Sequence, residues 1–207
     1  MKITVRGASQ AEVPPDLGRL HGQVVLEGMD RQAVVAAVTD AANQLSQDLA
    51  ERRAAGQAGQ VVVRPISVQS QQRYYQDSSE VVHWASVGWS ADFPTAEALS
   101  AFSAQHSGRA EVQIDRAEWL LSQQTRDRVE QECLTRAVAT ARTRAAAVAA
   151  AAGAGEVRFV EVSDADLGAP DGGVRAAVAY ASAESVAVDV QPADITVRVD
   201  LRVVFEA

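Results

Sequence analysis

Three histidines, His21, His83 and His106, and one cysteine, Cys133, are the side chains here best suited to bind a metal or attack an electrophile. Neutral imidazole and thiolate are the usual ligands of zinc and related ions. Metal sites announce themselves by spacing, with ligands a few residues apart on one turn or hairpin. These four residues are scattered, so a site would have to be assembled wholly by the fold. No metal ligand is assigned. Cys133 has no second cysteine to pair with. On an alanine-rich helical stretch it is expected to be a small buried hydrophobe rather than a redox thiol.

Two short motifs imitate binding loops. Gly153-Ala154-Gly155 resembles the opening of a dinucleotide loop, but it follows a helix instead of starting one and lacks the third glycine. Asp164-Ala165-Asp166-Leu167-Gly168 resembles a calcium loop, yet Ala169 and Arg175 stand where glycine and glutamate are required. Neither a nucleophile elbow nor a Walker loop occurs. No catalytic residue and no cofactor-binding residue is assigned, and no cofactor is expected. The remaining candidates are aromatic. Tyr74, Tyr75 and Trp84 fall on a hairpin at positions not all turned toward a core. Exposed Tyr and Trp are the residue types that anchor interfaces, so these three are the candidate interface residues. Trp89 lies on the apolar face and is expected to pack in the core.

Composition narrows the partners. The chain has 207 residues, a formal net charge of -8 and 47% hydrophobic residues, with aromatics only 5%. It can bury a core, made mostly of Val, Ala and Leu. The acidic balance argues against nucleic-acid binding, which calls for a basic surface. No apolar run reaches the roughly 20 residues a membrane-spanning helix needs. Ile3 and Val5 alternate with Lys2, Thr4 and Arg6, so a half-buried strand begins almost at once where a secretory leader would stand. The expected location is the cytoplasm.

The elements that must position these residues follow from periodicity. A strand over about 2–7 is followed by Pro14-Pro15-Asp16, then by a second strand with Leu20, Gly22, Val24 and Leu26 at period two. Asp30 can cap a helix reaching about Arg53, with Val34, Val38, Ala41, Leu45 and Leu49 on one face. Residues 61–75 and 80–93 read as a long hairpin, with Val81, Ala85, Val87, Trp89, Ala91 and Phe93 on one face of its second arm. A short helix starts at Pro94-Thr95. A strand over 111–121 changes phase near Arg116, which predicts a bulge. Ser122 caps the longest helix, to about Ala152, with Leu134, Val138, Ala141, Ala145, Val148 and Ala152 on its expected inner face and Gly153 as the left-handed terminator. A strand over 156–162 leads into 164–192, a segment rich in Ala, Asp, Gly and Ser. It reads as an extended linker with one weak strand at 185–190. The last strand alternates cleanly, with Ile195, Val197, Val199, Leu201, Val203 and Phe205 inward. First and last strands are both half-buried and are expected to meet.

The stretches "VRGASQAEVPPDLGRLHGQVVLEG", "LTRAVATARTRAAAVAAAAG" and "ADITVRVDLRVVFE" stand in the order and spacing of the SIMPL-domain proteins, a bacterial family of unknown function that this chain resembles along nearly its whole length. The family includes a periplasmic immunogenic protein and a protein linked to oxidative-stress defence. Where members often carry Gly-Tyr entering the second hairpin arm, this chain has His83-Trp84. The resemblance implies one SIMPL-like domain over 1–207, with ring-like or barrel-like assembly and a relation to stress.

The expected fold is α+β: mainly antiparallel strands packed against two long helices and one short one, with the option of two lobes. The expected function is that of a non-enzymatic, oligomer-forming interaction or scaffold protein whose partner is a second copy of itself. The alternative is a small-molecule-binding protein or an enzyme with a cleft between two α/β lobes.

Overall fold

The structure is a computed structural model and describes residues 1–74, 79–164, 179–182 and 192–207. It is α+β, as expected, with antiparallel sheets and helices of 24, 11 and 29 residues. The described residues fall into two compact units. One comprises 1–15, 121–164 and 192–207; the other comprises 16–74, 79–120 and 179–182. No helix among the described residues is long and apolar enough to cross a membrane.

In the first unit, β1 (Lys2–Val13), β7 (Arg158–Asp164) and β9 (Ile195–Glu206) form a sheet in the order β1-β9-β7. The ends of the chain do meet: β1 pairs antiparallel with β9 from Lys2↔Glu206 to Val13↔Ile195. Strand β1 therefore runs six residues beyond the expected Gly7. The small residues Ser9 and Ala11 carry a weaker alternation signal than Ile3 and Val5, and it is the full length of β9 that holds them extended. Helix α3 (Gln123–Ala151) packs on this sheet, and Ser122 accepts from the Thr125 N–H as its cap. Gly153 ends the helix at φ +69°, with Ala154 N–H reaching Ala149 O and Gly153 N–H reaching Ala150 O. That bond pair is the Schellman closure that glycine favours.

The inner face of α3 differs from expectation. Val129, Cys133, Ala137, Ala141, Ala145 and Ala149 are buried, while Leu134, Val138 and Val148 are exposed. The buried stripe is mostly alanine because helix and sheet approach closely. A Cβ added to Gly7 would run into Ala137 O and Ala141 Cβ. Only glycine fits under the helix there.

In the second unit, β2 (Leu17–Gly28) is central, flanked by β5 (Ser79–Phe93) and β6 (Val112–Leu120). Strands β3 (Val61–Val63) and β4 (Ser67–Tyr74) both pair with β5, and β8 (Ala179–Ser182) pairs with β6. Helices α1 (Arg31–Ala54) and α2 (Ala96–His106) are capped by Asp30 and Thr95. The predicted face of α1 is buried, and its core partners include Leu20, Val24, Trp89, Phe93 and Phe102. The predicted bulge in β6 falls on Asp115, between Arg116↔His21 and Ile114↔Gly22.

The first hairpin arm is not continuous. Val63 pairs with Trp89 but Ser67 pairs with Ser86, so Arg64, Pro65 and Ile66 span one residue more than the strand opposite them. Pro65 has no N–H to give the ladder and sits at that break. The second arm also shifts: Val82 is buried and Val81 exposed, so the expected inner face begins only at Ala85. The weak strand over 185–190 and most of the linker at 164–192 lie outside the described residues.

Candidate functional site

The three histidines are held separately. His21 Nε2 lies 3.0 Å from Glu118 Oε2, on the face of its sheet opposite α1 and α2. His83 Nδ1 lies 2.7 Å from Ser70 Oγ, linking β5 to β4. His106, at the end of α2, is buried with Nε2 2.8 Å from Asp48 Oδ2 of α1. Among the described residues, no group of three or more His, Cys, Asp or Glu gathers in a metal-holding arrangement. Cys133 is fully buried, its Sγ 3.8 Å from Val197 O. Gly153-Ala154-Gly155 serves to close α3, and the calcium-like stretch lies beyond Asp164, outside the described residues.

Two polar clusters shape the second unit. Arg52 donates to Asp48, stands 5.4 Å from the centre of the Phe102 ring and also donates to Gln105. Phe102 in turn lies 4.4 Å from the His106 ring. Burial pushes the Asp48 carboxyl up, but hydrogen bonds from His106 and Arg52, with their charges, more than reverse this and hold it below its ordinary value. The His106 Nδ1 atom is buried with no hydrogen-bond partner. On the opposite sheet face Arg19 makes a two-pronged contact with buried Asp92, at 2.6 and 3.0 Å. That hydrogen bond, against the cost of burial, keeps the guanidinium firmly charged. Both clusters tie neighbouring elements together.

The aromatic candidates lie along the β4–β5 hairpin. Tyr74 ends β4 and is 77% exposed. Trp84, on β5, is half-buried and held in place: its indole N–H donates to Glu27 Oε2 at 2.6 Å, and Arg73 lies 5.1 Å over its ring. Arg73 also pairs with Glu27 at 3.1 Å, so one carboxylate gathers both. Tyr75 lies outside the described residues. Tyr74 and Trp84 do not share a face. Trp84 pairs with Gln69, so Gln69, Gln71 and Arg73 lie on its side and Tyr74 on the other. Trp89 is buried in edge-on contact with Phe102, as expected of a core residue.

Glu27 and Arg73 are the members of this cluster that sequence reading misses. Their signal lies in the register. Glu27 stands directly opposite Trp84 once β2 pairs with β5, and only that pairing reveals the acceptor for the indole.

Outside these clusters, the exposed apolar side chains among the described residues include Phe159, Val160 and Val162 on β7 and Val62, Val63 and Ile66 at and after β3. A shallow groove of about 500 Å³ lies beside the second half of α3, between Arg142, Ala146 and Ala150 and the segment Ala154–Val157.

No curated protein matches the chain. A family model described as SIMPL, protein of unknown function (DUF541), matches residues 3–205. With almost the entire chain covered, and with the strand order, long capped helix and paired terminal strands set out above, the protein belongs to the SIMPL family.

Proposed function

We propose that this protein works by self-association through the β4–β5 hairpin, as a non-enzymatic interaction or scaffold protein. The observation that carries this reading is the braced Trp84–Arg73–Glu27 cluster beside an exposed Tyr74. Tyr, Trp and Arg dominate the energetics of interfaces. A side chain already fixed in the free protein loses less entropy when it is covered. The exposed Val81 and Met29 add apolar surface at the same end of the sheet. A net charge of -8 opposes association only weakly, because salt screens charges beyond about 8 Å. A link to stress defence belongs to the same reading and rests on the family resemblance alone.

Sedimentation of the purified protein at tens of micromolar, roughly the range where modest interfaces form, should give a species larger than one chain. Replacing Tyr74, Tyr75 and Trp84 together with Ser should return it to a monomer with an unchanged circular dichroism spectrum. A monomeric wild type at that concentration overturns the reading.

A further inference from the structure

The candidate aromatics raise a geometric difficulty. Tyr74 and Trp84 lie on opposite faces of the hairpin, so no flat surface laid against one face covers both. A strand added to the edge of β4 presents side chains to both faces at once, because they alternate. It meets Tyr74 directly and, on the other face, Gln69, Gln71 and Arg73, the residues that lie beside Trp84. The edge that offers itself is β4. It pairs with β5 on one side, and no strand pairs with its other side among the described residues.

The register fixes which backbone groups of β4 are free. Asp92 N–H donates to Gln60 O and Arg64 N–H to Gly88 O, so the even-numbered residues of β5 turn their backbone groups toward the β3–β4 side. The continuous β2–β5 register keeps that alternation without a slip from Phe93 to His83. In β4 the partners of Ser86, Trp84, Val82 and Glu80 are Ser67, Gln69, Gln71 and Arg73, which therefore bond inward. Val68, Ser70, Gln72 and Tyr74 turn their N–H and C=O outward.

This edge lacks the usual protection. Natural edges are blunted by charges, proline or bulges. Strand β7 carries a bulge at Val160 and the charges Arg158 and Glu161, and β1 carries Lys2, Arg6 and Glu12. Strand β4 reads SVQSQQRY, with one charge in eight residues, no bulge within it, and side chains exposed at all but Val68. Pro65 and the register slip lie before it.

We propose that β4 is a strand-addition edge whose occupant is the β4 of a second copy, antiparallel and centred on Gln71; the proposal rests on the self-association reading above. The sequence is self-complementary in that register. Outward-bonding residues meet outward-bonding residues, Ser70 with Gln72 and Val68 with Tyr74. Between them Gln69 meets Arg73, and Gln71 meets its own copy. Val68–Tyr74 is the β-branched–aromatic pair that stabilises adjacent strands, and the two Arg73 side chains do not oppose each other. Glutamine against glutamine extends hydrogen bonding beyond the backbone. A chain with charged residues at those positions would not fit.

The test is proline placed at neighbouring positions. Gln72→Pro removes an outward N–H and leaves the β4–β5 ladder intact, since edge strands tolerate proline when the lost N–H faces solvent. Gln71→Pro removes an inward N–H and should disrupt the hairpin itself. The proposal expects Gln72→Pro to sediment as a monomer at concentrations where the wild type is assembled, with its circular dichroism and melting midpoint close to wild type. A Gln72→Pro protein that assembles like the wild type overturns the edge proposal and leaves the broader reading standing. A monomeric wild type overturns both. Should Gln72→Pro fail to fold, residue-resolved hydrogen exchange of the wild type decides. The amides of Val68, Ser70 and Gln72 must slow as concentration rises, and exchange at a concentration-independent rate refutes the pairing.

Discussion

The two units solve one problem, a helix on an antiparallel sheet, with different materials. The second fills the space with large side chains: Phe93 and Phe102 are both fully buried, their rings 5.1 Å apart, and Trp89 packs edge-on to Phe102. The first sets small side chains of its helix against Ile3, Leu201 and Phe205 of its sheet. Its helix meets the sheet through Ala137, Ala141, Ala145 and Ala149, over Gly7. Among the described residues, the buried polar side chains Asp92 and His106 also belong to the second unit. His106 stacks on Phe102 within that set of large side chains, whereas the close approach of α3 to Gly7 leaves no room along the alanine stripe for a larger residue. The two halves should therefore fail in opposite ways, one to removal and the other to addition.

The largest expected effect separates them directly. Phe102→Ala opens a cavity under α2 and should cost about 3–5 kcal/mol. Ala141→Leu forces bulk between α3 and Gly7 and should cost about 1–3 kcal/mol or more, although it adds apolar surface. Hydrogen exchange along α1 and β5 on the one hand, and α3 and β9 on the other, reports which unit each change weakens. Tolerance of Ala141→Leu within about 0.5 kcal/mol would end the contrast.

A smaller effect follows from the polar seam between α1 and α2. The Asp48 carboxyl is held below its ordinary value in the folded state. Between its folded value and the unfolded value of about 3.9, the unfolded chain binds more protons, so stability rises with pH across that window. The contribution is fully present above about pH 4 and is lost as pH falls through the folded value. Asp48→Asn should lower stability at pH 6 and approach the wild type in acid. Parallel pH–stability curves for the two proteins would show that Asp48 does not titrate as described. The smallest effect is expected at Leu134, exposed on α3. Leu134→Gln should change stability by no more than about 0.5 kcal/mol, checked by urea unfolding, whereas a core position would lose several times that.

Leu134 also shows what the sequence could and could not reveal. Alternation in β9, the caps Asp30 and Ser122, the helix start at Pro94-Thr95, the terminator Gly153 and the bulge near Arg116 are local signals, and each holds in the structure. The inner face of α3 is not local. With alanine on every side, the larger residues Leu134, Val138 and Val148 draw the apparent apolar face toward themselves. The reason alanine is buried instead sits on another strand, at Gly7. The break at Pro65 is visible as a proline, but the one-residue slip it accompanies emerges only when both flanking strands pair with β5. The candidate surface was half legible for the same reason. Trp84 and Tyr74 stand out by type, and the separation of their faces follows from the register, as does the role of Glu27. The histidines and the cysteine were the most conspicuous residues by chemistry, and each has its own separate neighbours.

The pairing of β1 with β9 imposes an order of events on the nascent chain. Strand β1 leaves the ribosome well before its partner, with 181 residues between Val13 and Ile195. The segment from β2 to β6 is synthesised in one stretch and begins and ends on a shared bond, Asp16 N–H to Leu120 O. It can close early around contacts that are near in sequence, while β1 must wait with its apolar residues unpaired. Contacts of long sequence separation form slowly and leave strand edges exposed meanwhile. The alanine-packed half is thus the late half of folding, and the stage at which a chaperone would find most to hold.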